Sequence, residues 1–462
     1  MPRNWCIGAR AYDLYRRRSE IRACGAGYGK YISWSVLLLA LISPVSGEDF
    51  LEESDEILPG MLGGVAAWSD YDGDGDEDLL LVGEILEEAS PSRVARIYDN
   101  VGADFIYNIV ASEELVGIYR GDAAWGDYDS DGYTDIAIVG WNSEDEEKLL
   151  FYRNTDDNGE RRLKQDLLQI DLTGSRYASL AWGDYDGDGD VDLIVAGMEA
   201  TGNSQTRLYR NIAGRFTEDD VNSSVVIGVH NGDIAWADYD NDGDYDLSIS
   251  GDNVTYAGGG IVPETKFYKN DPVGSLDLDR ALSDPIEDSS SGVRRGAMAW
   301  GDYDGDGAVD LALSGRLWNS EISLALYRNR PAGELNPDTN FRLRANQRVD
   351  GDLEFIDYDN DGDIDLAAVG RTALSEYVAA VFPNQDGEFR ESTSETKLEG
   401  LSGGSATWAD YDLDGRADLL LSGVGVTGDR RTILYNNRGS FVSNNRPDAP
   451  ALFYTPEVTS HY

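Results

Sequence analysis

Trp68-Ser69-Asp70-Tyr71-Asp72-Gly73-Asp74-Gly75-Asp76-Glu77-Asp78 runs straight into Leu79-Leu80-Leu81-Val82-Gly83, and this order of aromatic residue, acidic loop and apolar run decides the fold. The phrase returns from Trp125, Trp182, Trp236, Trp300, Phe355 and Trp408, giving seven copies in all. Successive loops lie 53 to 64 residues apart. That period is too long for one rung of a β-solenoid and suits a four-stranded propeller blade.

Each copy reads as four strands. A short apolar lead-in such as Ala123-Ala124-Trp125 precedes the loop, and a stereotyped second strand follows it, as in Asp135-Ile136-Ala137-Ile138-Val139-Gly140. Runs of Leu, Ile and Val closed by glycine read as strands buried on both faces. The third strand ends in a Tyr-x-Asn phrase, as at Tyr152-Arg153-Asn154 and Tyr209-Arg210-Asn211. The fourth is weaker and is expected at Phe105, Phe216, Phe341 and Phe389. One such sheet cannot bury both faces alone, whereas seven set radially can, and the ring removes open edges. The expected fold is therefore all-β, a seven-bladed β-propeller of four-stranded antiparallel blades over residues 48–445, with a C-terminal tail over 446–462. Either Glu48-Asp49-Phe50-Leu51 or Gly439-Ser440-Phe441-Val442 supplies the last strand of the final blade.

Counted from its first residue, each loop has aspartate at positions one, three, five and nine. These are Asp70, Asp72, Asp74 and Asp78; Asp127, Asp129, Asp131 and Asp135; Asp184, Asp186, Asp188 and Asp192; and Asp238, Asp240, Asp242 and Asp246. The last three sets are Asp302, Asp304, Asp306 and Asp310; Asp357, Asp359, Asp361 and Asp365; and Asp410, Asp412, Asp414 and Asp418. Position two is always Tyr and position six always Gly, while position seven varies, as expected if it lends only a backbone carbonyl. Hard carboxylate oxygens without imidazole or thiolate select calcium or magnesium, and a flexible loop favours the larger ion, so about one calcium per blade is expected. The alternative is a solvated acidic turn. One like-charge pair at ~5 Å costs about 3 kcal/mol at an effective dielectric near 20, and seven unneutralised clusters would strain a fold whose net stability is ~5 to 15 kcal/mol. An EF-hand is excluded because position twelve, Leu81 in the first copy, lies inside a strand where that motif needs a bidentate Glu.

The formal charge of −48 excludes nucleic acid as a partner, since phosphate binding needs a basic footprint. Residues 1–47 differ from the rest, with seven Lys or Arg against two acids, then the apolar run Ile32 to Ile42 and the small residues Ser43 to Gly47. That order is expected to be a signal peptide, or alternatively an uncleaved anchor, and it predicts a secreted or cell-surface protein. Cys6 and Cys24 both fall within it, leaving no cysteine and no membrane span in the mature chain. A monomer is expected.

The loop and its flanking strands resemble the FG-GAP repeats of integrin α-subunit propellers and the related VCBS-type repeats of secreted bacterial proteins. The resemblance covers nearly the whole mature chain and implies a calcium-stabilised propeller used in adhesion, or in protein or glycan recognition. The Phe-Gly and Gly-Ala-Pro segments are poorly kept, as in Gly63-Gly64-Val65-Ala66-Ala67, which makes the bacterial relatives the nearer analogy.

Chain alternation puts the Asp loops on one face of the ring and the residues just before each first strand on the other. The latter include Tyr119, Arg120, Arg176, Tyr177, His230, Arg294, Arg295 and Arg348. Arginine forks match carboxylate and sulfate and aromatic rings stack on sugars, so this mouth is a candidate site for an anionic glycan or an acidic segment of an extracellular protein; solvated corner residues are the alternative. A polysaccharide lyase or hydrolase is the rival class, and a structural envelope component a third. With only His230 and His461 available and the recurrent carboxylates committed to metal, no catalytic constellation stands out, and a binding module is expected.

Overall fold

The structure is a computed structural model that describes residues 50–438, apart from 53–57, 88–89, 158, 160, 170–171, 255–259, 287–291, 331, 342–347 and 391–397. The leader with both cysteines, the strand candidate at 439–442 and the tail lie outside the described residues.

The first blade is built from Leu62–Ser69, Asp78–Glu87, Ser90–Asn100 and Phe105–Asn108, each antiparallel to its neighbour. The second uses Ile118–Gly126, Asp135–Asn142, Glu147–Asp156 and Arg161–Gln165, and the third Arg176–Gly183, Asp192–Met198, Ser204–Asn211 and Phe216–Glu218. The fourth and fifth begin at His230–Ala237 and Met298–Gly301 and end at Asp277–Leu278 and Leu335–Pro337. The fold is thus an all-β seven-bladed propeller of mostly four-stranded antiparallel sheets. In the seventh blade, Ala406–Ala409, Asp418–Val424 and Arg430–Asn437 are completed by Phe50–Glu52, with Phe50 opposite Asn437. The N-terminal candidate therefore closes the ring.

Burial follows the sequence pattern. The second strands are buried at six successive positions, as in Asp135–Gly140, because both faces of each blade are covered. Seven hydrophobic clusters result, one at each blade interface; the cluster joining blades one and two combines Leu80, Val82 and Ile97 with Ile136, Ile138 and Tyr152. First and second strands approach so closely that a Cβ on Gly121 would overlap the Val139 carbonyl.

Two expectations need correction. Phe341 is not in the fifth blade's outer strand, which is Leu335–Pro337; the Phe341 ring instead packs against Phe382 and Phe389 of the sixth blade. In the sixth blade the third strand stops at Phe382, and a separate ribbon pairs Asn384–Gln385 with Glu388–Phe389. Pro383 stands at the break, where other blades carry a residue with an N–H to donate.

Candidate metal centres and the axial mouth

Each acidic loop turns on residues in the left-handed region. Position six is glycine with φ between 85° and 100° in all seven loops, and position four is also left-handed, even at Leu413 with φ 58°. The first aspartate holds the turn by accepting backbone N–H bonds. Asp127 Oδ1 accepts from Asp131 N at 3.0 Å and Oδ2 from Gly132 N at 2.9 Å, and the other loops repeat the pair.

The ninth aspartate opens the second strand and is at most 1% exposed in every blade. Its Oδ1 accepts from the backbone N–H of the asparagine ending the third strand, as from Asn154 to Asp135 at 2.8 Å and from Asn211 to Asp192 at 2.7 Å. Its Oδ2 is buried without a partner in Asp78, Asp135, Asp192, Asp246, Asp310 and Asp418; in Asp365 it accepts from Tyr358 N at 3.2 Å. Oδ1 of Asp129, Asp186 and Asp240 at position three is likewise orphaned. In the first five loops, three carboxylates bring one oxygen each within 4.8 Å of one another, and two more such groups exist.

Buried carboxylate oxygens facing other carboxylates are costly unless a cation joins them, so these residues fit a hard divalent ion. Without metal, burial and the neighbouring acids push Asp78, Asp135, Asp192 and Asp418 up to about 8, Asp246 and Asp310 to about 7, and Asp365 to about 9. A bound ion supplies the opposing charge that keeps these groups ionised.

The loops are also the joints between blades. The asparagine whose N–H bonds its own blade's ninth aspartate donates its Nδ2 to the carbonyl of the position-two tyrosine in the preceding blade. All seven interfaces have this bond, from Asn154 to Tyr71 at 2.6 Å round to Asn100 on Tyr411 at 2.8 Å. The ring of the same tyrosine stacks on the next blade's first-strand aromatic, as Tyr71 on Trp125 at 5.9 Å, Tyr128 on Trp182 at 6.2 Å and Tyr185 on Trp236 at 6.1 Å. Sequence reasoning assigned no role to these residues. Their invariance within the seven copies was the available signal.

On the other face, β-bulges shift the register of the first strands between Tyr119 and Asp122, Arg176 and Ser179, and His230 and Asp233. They place Arg120, Tyr177 and Asn231 in left-handed conformations with φ of 51° to 58°, which side chains adopt at a cost, and Arg295, ahead of the fifth blade's first strand, is left-handed too at 53°. The Arg120 guanidinium lies 4.8 Å from the rings of both Tyr119 and Tyr177 and donates to the Tyr177 hydroxyl. Tyr177 meets His230 edge-on at 6.2 Å, and Arg295 N donates to Asn231 O at 2.7 Å. His230 is buried, its Nδ1 is 2.8 Å from Ser204 Oγ, and burial holds its pKa below the ordinary value.

The remaining arginines are engaged differently. Arg176 pairs with Glu147 at 2.9 Å and lies over Trp141, and Arg294 reaches Asp252 at 3.4 Å. Arg348 is exposed and makes no ion pair among the described residues. Beneath the mouth, Asp122, Asp233 and Asp352 bond the first strand of the next blade, at Leu180 N, Met298 N and Ala406 N. The Asp122 carboxylate is therefore turned inward, accepting also from Ala123 N at 2.8 Å.

The model of the FG-GAP-like repeat matches residues 127–195, 184–248, 302–368 and 357–421, together more than half of the chain. The chain belongs to this family of FG-GAP-like repeat propellers. No curated protein matches it. Among solved structures, it is similar to the six-bladed fucose-recognising lectin of Aleuria aurantia, at 11% identity and TM-score 0.40 over 74% of this chain and 99% of the lectin. The rhamnogalacturonan lyase YesW aligns at 13% and 0.41 over 84% and 75%, and the Vibrio cholerae biofilm matrix protein Bap1 at 13% and 0.35 over 85% and 92%. At these scores none of the likenesses carries an argument, and the blade count rests on the strand pairing. No helix of the described residues is long and apolar enough to cross a membrane.

Proposed function

We propose that the protein is an exported recognition module whose seven Asp loops bind calcium and whose opposite mouth binds an anionic glycan or an acidic protein segment. The observation that carries the calcium reading is the orphaned, buried Oδ2 of the ninth aspartate in six of the seven loops, in an all-oxygen setting. Ion binding does structural work: it removes the charge repulsion at the joints that hold neighbouring blades and so gives the mouth a rigid frame.

Recognition at the mouth is supported by the ladder of Tyr119, Arg120, Tyr177, His230 and Arg295, a cationic and aromatic surface on a chain of net charge −48. A glycan array of neutral, uronate-bearing and sulfated oligosaccharides, run with calcium and with EGTA, tests the whole reading. Binding confined to acidic glycans, present only with calcium and lost in the Arg120→Ala/Arg295→Ala double variant, is expected. Binding that survives the double variant would remove the mouth from the account. Shortened products from an acidic polysaccharide would replace the binding module by a depolymerising enzyme.

A further inference from the structure

Six of the seven blades enter their first strand through a left-handed residue at one position, directly after the residue that begins the pairing of first and second strands. It is Gly63 in blade one, Arg120, Tyr177, Asn231 and Arg295 in blades two to five, and Gly403 in blade seven, with φ between 51° and 72°. In blade six the matching residue is Asp350, which sits opposite Arg371 in an unbroken register. The corner favours glycine, because glycine takes left-handed backbone freely and a side chain takes it at a cost, least for asparagine. Blades one and seven follow that demand. Four consecutive blades do not.

The two glycines show what the corner offers. A Cβ on Gly403 would meet nothing within 4 Å, so the position opens onto free space. A Cβ on Gly63 would stand 2.6 Å from the Tyr119 ring, which lies over that glycine. Tyr119 is thereby seated on blade one and flanks Arg120, whose guanidinium also lies over the Tyr177 ring. Asn231 Nδ2 donates to Asp252 Oδ2 at 3.4 Å. Arg295 is exposed, and its guanidinium makes no hydrogen bond or ion pair among the described residues. The bond that Arg295 does make, from its N to Asn231 O at 2.7 Å, is a backbone bond that glycine would make equally. Nothing within the chain offsets the cost of a side chain there, so the gain lies outside the chain.

The costly side chains form one arc, with guanidinium groups in blades two and five and a phenol ring and a carboxamide between them. Across the mouth stand Gly403, Gly63 and an acid, Asp350, which is paired with Arg316. Planar guanidinium groups match carboxylate and sulfate, a tyrosine ring stacks on the face of a sugar, and a carboxamide both donates to and accepts from hydroxyls. The arc crosses four separate sheets, so it presents side chains rather than the continuous run of backbone groups with which an extended peptide pairs.

We infer that the ligand of the mouth lies off the axis, along an arc over blades two to five, and that it is an acidic oligosaccharide held by Arg120, Tyr177, Asn231 and Arg295, side chains kept at a corner that favours glycine. This rests on the recognition reading above. It narrows that reading from the whole mouth to one side, and from two ligand classes to one.

The test pairs two measurements on the calcium-loaded full chain: calorimetric titration with a uronate hexasaccharide, a sulfated hexasaccharide and hexaglutamate, and thermal melting without ligand. Arg295→Gly should weaken binding of the acidic oligosaccharide at least about tenfold, yet leave the melting temperature unchanged or raise it by about 1 to 2 °C as the left-handed strain is released. A side chain with only a structural role would lower that temperature when removed. Gly403→Asn, which adds a side chain in open space on the opposite side, should leave the affinity within about twofold of the parent. A lower melting temperature for Arg295→Gly, binding that this variant leaves intact, or an equal loss in Gly403→Asn would overturn the arc. Binding of hexaglutamate in place of both oligosaccharides would overturn the ligand class. A parent protein that binds none of the three probes sinks the recognition reading itself, whereas a parent that binds and an Arg295→Gly variant that binds equally sink only the arc.

Discussion

The carboxylate at the ninth loop position is held on one oxygen by a backbone N–H and exposed on the other to its own loop's acids, which makes it sensitive to metal in both directions. Asp192→Asn keeps the shape and removes the charge. In calcium this variant should lower the melting temperature, because a ligand is gone; in EGTA above about pH 8, where the metal-free carboxyl ionises, it should melt at or above the parent, because a buried repulsive charge is gone. Thermal melts of both proteins under both conditions check the crossing. The asparagine beside it acts across an interface. Asn211→Ala removes the bonds to the Tyr128 carbonyl and Gly214 N–H and leaves both polar groups buried, so a loss of about 2 to 3 kcal/mol is expected by urea unfolding in calcium. The recurrence of Tyr and Asn was plain in the sequence. Their joint role was not, because each bond spans a blade boundary, 83 residues between Asn154 and Tyr71, and a repeat does not say which neighbour its side chains address.

At the scale of the element, the loop demands left-handed backbone at position four, which Gly, Asn and Ser supply in six copies and Leu413 does not. Leu413 is also 63% exposed and contributes little burial. Leu413→Gly should therefore stabilise by up to about 1 kcal/mol in calcium, measured by chemical unfolding. The titration of the loops has a definite sign. Burial raises the ninth-position carboxyls from 3.8 to about 7 in Asp246 and about 9 in Asp365 when metal is absent. The metal-free fold thus takes up protons on folding, and the stability this brings is present at low pH and lost as pH rises through about 7 to 9. Calcium replaces those protons. The gap in melting temperature between loaded and chelated protein should widen from about pH 6 to about pH 9, and calorimetric titration at about pH 7 in buffers of different ionisation enthalpy should detect proton release. A gap that is constant across this range would contradict the burial argument.

The whole molecule was largely legible as a count of loops: seven short-range phrases fix seven blades, and the alternation of strands puts loops and mouth on opposite faces. Less legible were features set by long-range pairing. The end that closes the ring depends on Phe50 meeting Asn437, the displacement of Phe341 on the packing of two blades, and the broken sixth blade on the single N–H that Pro383 lacks. The mouth lay between these cases, since its residues could be placed from the strand order but the left-handed backbone at Arg120 and Arg295 could not. At extracellular affinities of roughly 10⁻⁴ to 10⁻³ M, millimolar calcium adds about 0.4 to 1.4 kcal/mol per loop, which over the ring rivals the stability of a domain. Scanning calorimetry of the protein dialysed against EGTA, then returned to millimolar calcium or magnesium, measures this directly. A melting transition that falls in EGTA, returns fully with calcium and only partly with magnesium is the predicted result; an unchanged transition in all three conditions would contradict the claim that metal-neutralised loops hold the blades together.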